Sequence, residues 1–151
     1  MRGYCGIGLE NPKNYLTVGS VLRAAGVYGA AFVATTGELY SCAPTDTMNH
    51  YRHIPLFRPP TLPDVIPFDC VPVVVDLIVG TIALPEYKHP HRAFYIFGAE
   101  GATLGKRITT WCRDAIYVPT NGCMNLAATV NVVLYDRFAK QERNDNENNS
   151  N

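Results

Sequence analysis

A chain of 151 residues, 47% apolar and 17% charged, has the composition of one globular domain that buries its core without metal or disulfide support, which excludes a disordered protein. Its 13 basic and 13 acidic residues cancel, so no overall basic field attracts nucleic acid and any such contact falls to local patches. The five cysteines, Cys5, Cys42, Cys70, Cys112 and Cys123, are odd in number and scattered without a C-x-x-C pair, a pattern expected of reduced thiols in a cytoplasm.

Residues 4–9 predict the first strand. Gly3, Gly6 and Gly8 accompany it, but a dinucleotide fingerprint sets its glycines after a strand and at the mouth of a helix, so this spacing is read as chance. Residues 18–28 carry Val18, Val21, Leu22 and Ala25 at helical spacing, with Gly29 just past the end. A strand at 30–34 completes a βαβ unit, and with it a parallel sheet. Between 37 and 69, Pro44, Pro55, Pro59, Pro60, Pro63 and Pro67 break every period. A short helix at 47–53 and an extended surface crossing are expected there, made locally basic by Arg52, His53 and Arg58.

Further on, 71–77 predicts a buried strand, 78–84 a short helix, 93–98 a second buried strand, 103–112 a short helix and 115–118 the last strand. The apolar run 71–84 is interrupted by Pro72, Asp76 and Gly80, so no membrane span is predicted. Pro119 to Gly122 form a turn, and Leu126, Ala127, Val130, Val133 and Leu134 mark a helix over 126–138 with Asn125 at its N-cap. The end, 141–151, sets Glu142, Asp145 and Glu147 among asparagines and is expected as a polar flexible tail, leaving 1–140 as the domain. Together these elements give an α/β open sheet, mostly parallel, with helices on both faces.

The chemistry-bearing residues are sparse. His50 with His53, and His89 with His91, have no third ligand at metal spacing, so no metal is expected and surface or packing roles are preferred. Lys88, His89, His91 and Arg92 form a small basic patch before a strand. Cys123 lacks a flanking base, and no G-x-S-x-G, H-E-x-x-H or Walker A sequence occurs. What remains is three strand-to-helix loops, around 14–23, 98–101 and 119–126, which carry Gly or Asn and two charges, Arg23 and Glu100. In an open α/β sheet such loops form the ligand site at the carboxyl ends of the strands. Asn125 is open to two readings there, a plain helix cap or a ligand-loop residue.

These loops read NPKNYLTVGSVLRAAGVYGA, FYIFGAEGATL and IYVPTNGCMNLAATVNVVLYDR. In that order they resemble the three motifs of the SpoU (TrmH-like) class of the SPOUT superfamily of RNA methyltransferases. The resemblance implies a C-terminal deep trefoil knot that binds S-adenosylmethionine, a homodimer whose site draws on both chains, and methylation of a ribose 2′-OH in RNA. A tRNA loop is favoured over rRNA for so small a domain. It further implies that Arg23 and Asn125 act in catalysis. Asp76, Leu77, Gly98, Glu100, Gly101, Val118, Pro119, Cys123, Met124 and Leu126 would line the cofactor. Arg23, Arg52, Arg58, Lys88 and Arg92 would meet RNA, with Lys106, Arg107 and Arg113 as further cations.

The chain departs from the family pattern at Thr17, where Asn is common, and at Ala127 and Ala128, where Ser or Asn is frequent. Those departures keep open a catalytically inactive protein that binds S-adenosylmethionine and RNA. A base methyltransferase of another SPOUT branch and an unrelated α/β small-ligand module compete with both.

Overall fold

The computed structural model describes residues 3–37, 45–46, 48–76, 82–98 and 106–150. Leu77, Glu100, Gly101, Cys42 and the side chains of Lys106 and Arg107 lie outside what is described. The described strands are β1 (Tyr4–Glu10), β2 (Phe32–Thr35), β3 (Leu56–Phe57), β4 (Val71–Val75), β5 (Ile82–Ala83), β6 (Arg92–Gly98) and β7 (Asp114–Tyr117). They form one sheet in the order β3-β2-β1-β6-β4-β7-β5, and every described pairing is parallel. Helices α1 (Tyr15–Tyr28) and α3 (Leu126–Asn149) pack together on one face, while α2 (Lys106–Thr109) contributes Ile108 to the core of the other. The α/β parallel arrangement expected from the sequence is therefore present.

Both faces being covered explains why the central strands are apolar throughout rather than alternating: five consecutive residues are buried in β1 and five in β6. It also explains the glycines of β1. A Cβ at Gly6 would run into the ring of Phe32, and one at Gly8 into that of Phe94. Those two rings stack across the sheet, centroids 5.8 Å apart and 21° between planes. The glycines make room for aromatic packing, and no phosphate loop is involved.

α1 ends as predicted. Gly29 adopts φ 70, the left-handed conformation, and its N–H reaches the carbonyl of Ala25. Three expectations are corrected. The helix predicted over 78–84 is not what its described part forms, because Ile82 and Ala83 pair with Ile116 and Tyr117 as edge strand β5 and only Leu84–Glu86 turns, as a 3-10 helix. The helix predicted over 47–53 shrinks to a 3-10 turn, His50–Arg52. The segment from Gln141 onward is solvent-exposed as expected but continues α3 to Asn149. Neither Gly nor Pro follows Phe138, and Ala139, Lys140, Gln141, Glu142 and Arg143 all favour helix, so the hydrogen-bond ladder runs on.

At the amino edge of the sheet α3 is fastened by a buried polar cluster. Arg137, 4% exposed, donates to the carbonyls of Pro90 at 2.6 Å, His91 at 2.7 Å and Tyr4 at 3.4 Å, and to the Tyr95 hydroxyl at 3.2 Å. The partners fix the tautomer of His89. Nδ1 accepts from Tyr95 Oη at 2.6 Å, and Nε2–H donates to Asp136 Oδ2 at 2.7 Å. Burial pushes His89 down to about 4, against the opposing pull of Asp136. Lys140 pairs with the same carboxylate at 2.7 Å and donates to the carbonyls of Leu84 and Tyr87. His89 thus has the packing role preferred from the sequence, and it is no part of a basic surface patch.

Candidate functional site

Because the strands run parallel, their carboxyl ends meet at one edge. Val75 of β4 is in register with Phe97 on one side and Ile116 on the other. The next residues, Asp76, Gly98 and Tyr117, therefore stand side by side on three neighbouring strands about 5 Å apart. The Asp76 N–H donates to the Ile116 carbonyl at 2.9 Å. Val118 follows half-buried, so Asp76, Gly98 and Val118, named from stretches far apart in the chain, lie near one another at the carboxyl ends of the strands.

From β7 the chain crosses 118–125 without helix or strand. Pro119 and Cys123 are exposed, Met124 is half-buried and Leu126 is buried. The Thr120 hydroxyl donates to the Gly122 carbonyl at 2.6 Å, which tightens the predicted turn. Its backbone groups pair in no described strand ladder and must find other partners. Asn125 then caps α3: its Oδ1 accepts the Ala128 N–H at 2.7 Å. The plain-cap reading of Asn125 is met by that bond, which leaves the Nδ2 hydrogens to donate elsewhere.

Arg23 arrives from the other direction. Val18, Val21, Leu22 and Ala25 bury one stripe of α1, which turns Arg23 outward. Gly26 on the neighbouring stripe lets the His50 ring press against the helix, since a Cβ there would overlap it. Between α1 and the start of α3 runs a groove of about 730 Å³, bordered by Ser20, Arg23 and Ala24 on one side and by Asn125, Ala127 and Ala128 on the other. Arg23 and Asn125, 102 positions apart in sequence (125 − 23), thus open onto the same space. Ala127 and Ala128 give that space methyl groups where a hydroxyl or amide was expected of the family. Thr17 sits in the first turn of α1, its N–H on the Asn14 carbonyl at 3.1 Å.

The cations assigned to RNA divide by edge. Arg58 follows β3 at the carboxyl edge, and Arg52 lies on the 3-10 turn against α1, its Nε donating to Tyr51 Oη at 3.0 Å. Lys88 and Arg92 lie at the amino edge, at the other end of the strands from Asp76, Gly98 and Val118, and Arg92 is held by Asp69 and lies over the Tyr4 ring. The structure does not bring those two to the site. Arg113 stands 3.7 Å from Asp114. Among the described residues, neither Arg23 nor Lys13 has a side-chain ion pair or hydrogen bond.

Sequence reasoning passed over Asn11. It takes φ 52 and donates its N–H to the buried Thr36 hydroxyl at 3.0 Å, pinning the loop between β1 and α1. The Asn-Pro pair was the available signal. It also passed over Lys13 and Tyr15, which that loop holds outward.

The profile of the SpoU rRNA Methylase family matches residues 5–135. No curated protein matches. Among solved structures, the chain is similar to the SpoU methyltransferase AviRb from Streptomyces viridochromogenes in complex with the cofactor AdoMet. That likeness has a TM-score of 0.81 and 18% identity, over 95% of this chain and 62% of that one. A TrmH/SpoU tRNA modifying enzyme from A. aeolicus gives 0.84 and 14%, over 95% and 78%. A structure solved for the 2-OH methylation of C/U34 on tRNA gives 0.78 and 17%, over 93% and 97%. At such identities these likenesses establish the fold. The chain spans less than two thirds of the length of AviRb.

Proposed function

We propose, from the premise that the chain belongs to the SpoU rRNA methylase family, that it transfers a methyl group from S-adenosylmethionine to a ribose 2′-OH of RNA, with tRNA favoured. The observation that carries this reading is that Arg23 and Asn125 open onto one groove, while Asp76 and Gly98 stand level at the carboxyl ends of neighbouring strands. We place the nucleoside part of S-adenosylmethionine at the carboxyl ends of these strands, beside Asp76, Gly98 and Val118. Three adjacent strand ends, a half-buried carboxylate and a loop with backbone groups outside any ladder suit an adenosine with its hydroxyls and ring nitrogens. Leu77, Glu100 and Gly101 belong to the same proposal by sequence. Bound there, the cofactor supplies an electrophilic methyl on a sulfonium.

The chain's own part is positioning. Arg23, exposed and unpaired among the described residues, is available to hold a phosphate of the substrate and to stabilise negative charge developing on the 2′-oxygen. A guanidinium does not give up its proton in this range, so Arg23 is not the base. Asn125 fixes the approach of the loop to α3 and offers its amide donors to the groove. Arg58, just after β3, extends the RNA contact along the carboxyl edge, and Arg52 adds a cation on the turn against α1.

The knot is part of this proposal. β7, last in sequence, lies inside the sheet between β4 and β5 rather than at an edge, as a threaded C-terminal segment requires. A homodimer is also part of it. Val27, Val132, Tyr135 and Phe138 leave an apolar strip exposed along α1 and α3 that a second copy would cover. The unpaired thiols of Cys5, Cys70, Cys112 and Cys123 suit a cytoplasmic setting.

The methyl groups of Ala127 and Ala128 in the groove favour one second reading, a protein that binds S-adenosylmethionine and RNA without transfer. Incubation of the purified chain with total tRNA and labelled S-adenosylmethionine, followed by mass spectrometry of the nucleosides, separates the two. A 2′-O-methylated nucleoside is expected. A methylated base would move the chain to another reaction, and binding without transfer would leave the inactive reading.

A further inference from the structure

We infer that Lys13 and Tyr15 form a docking lip for the single-stranded RNA that flanks the nucleotide held at Arg23, the Tyr15 ring stacking an unpaired base and Lys13 meeting a phosphate. This rests on the RNA reading above and adds to it the class of RNA structure recognised. Tyr15 is 46% exposed at the start of α1 and makes no ring contact with any described residue. Lys13 is exposed, without an ion pair among the described residues. An aromatic face left open beside an unneutralised cation is the combination that binds single strands, stacking supplying affinity and the cation tracking the backbone.

The lip is built to hold its shape. Asn11 is pinned by its N–H on Thr36 Oγ1 at 3.0 Å, Pro12 restricts the backbone, and Asn14 Oδ1 accepts the Leu16 N–H at 2.9 Å. Only three residues separate Asn11 from Tyr15, so the two side chains stand out from a fixed loop. Tyr15 and Arg23 lie eight residues apart on one helix (23 − 15), about 12 Å along its axis. That spacing lets a strand touch the lip while its target nucleotide rests in the groove. A paired helix would bury its base faces and offer Tyr15 nothing to stack on.

The test is fluorescence anisotropy with the full chain, using a labelled mixed-sequence 20-nucleotide single-stranded RNA and the same RNA annealed to its complement. For Tyr15→Ala the single strand should bind about tenfold more weakly. Tyr15→Phe, which keeps the ring, should bind as the wild type does, and the duplex should be nearly indifferent to both. Lys13→Ala should lower the slope of log affinity against log salt by about 0.7. S-adenosylmethionine affinity, measured by calorimetry, should not change in any variant. Wild-type affinity in Tyr15→Ala, or an equal loss for strand and duplex, overturns the lip while the methyltransferase reading stands. A wild-type chain that binds neither RNA overturns both.

Discussion

At the amino edge of the sheet, Arg137, His89, Tyr95, Asp136 and Lys140 direct their polar atoms at one another and at backbone carbonyls, and little of the cluster meets solvent. At the carboxyl edge Lys13 stands exposed, as does Arg23 further along α1, both without ion pairs among the described residues, and 118–125 leaves its backbone outside any described ladder. Both regions are rich in charge. What separates them is satisfaction: a network closed on itself contributes to stability, whereas groups left open are available to a ligand. Mutations at the two edges should therefore fail in different assays.

The largest effect on stability is expected at the closed edge. Arg137→Ala strands several buried carbonyls and the Tyr95 hydroxyl, and should lower the unfolding free energy by about 3–5 kcal/mol, read from urea denaturation. An unchanged midpoint would break the contrast. Acid should act on the same cluster. His89 titrates at about 4 in the fold instead of 6.5, so between those values the unfolded chain binds the proton and the folded one does not. Its contribution is complete above about pH 6.5 and is lost as the pH falls toward 4, up to ~3 kcal/mol. Thermal melts of the wild type and His89→Gln across that range should converge toward the acid end.

Gly8→Ala presses a methyl into the Phe94 ring beneath β1 and should cost about 1–3 kcal/mol without altering affinity for S-adenosylmethionine. Asn125→Ala is the smallest in stability and the most informative about the open edge. Loss of the cap alone costs about 1 kcal/mol. A drop in cofactor affinity well beyond that in calorimetry would separate ligand contact from capping, and an unchanged affinity would return Asn125 to the plain cap.

The same contrast explains what was legible in the sequence. The opening βαβ unit, Gly29 as terminator and the three loops could be read because each is a local pattern backed by periodicity or turn chemistry. β5 could not, since Ile82 and Ala83 are extended through pairing with β7 rather than through their own preference. The amino-edge cluster was invisible for a related reason. Arg137 reaches Pro90 and His91 from 47 and 46 positions away, and Asp69 removes Arg92 from the basic patch that counting charges had suggested. The glycines of β1 looked like a failed fingerprint until the rings of Phe32 and Phe94 were seen against them. For the candidate site, the three loops were named from the sequence, while the level alignment of Asp76, Gly98 and Tyr117 follows only from strand register.

The central claim is that the open edge acts on RNA through Arg23. The most direct measurement is methyl transfer by Arg23→Ala, made beside its melting temperature and its affinity for S-adenosylmethionine. Turnover should fall at least a hundredfold, with melting and cofactor affinity close to wild type. A fully active Arg23→Ala, or one that loses activity only because it unfolds, would contradict it.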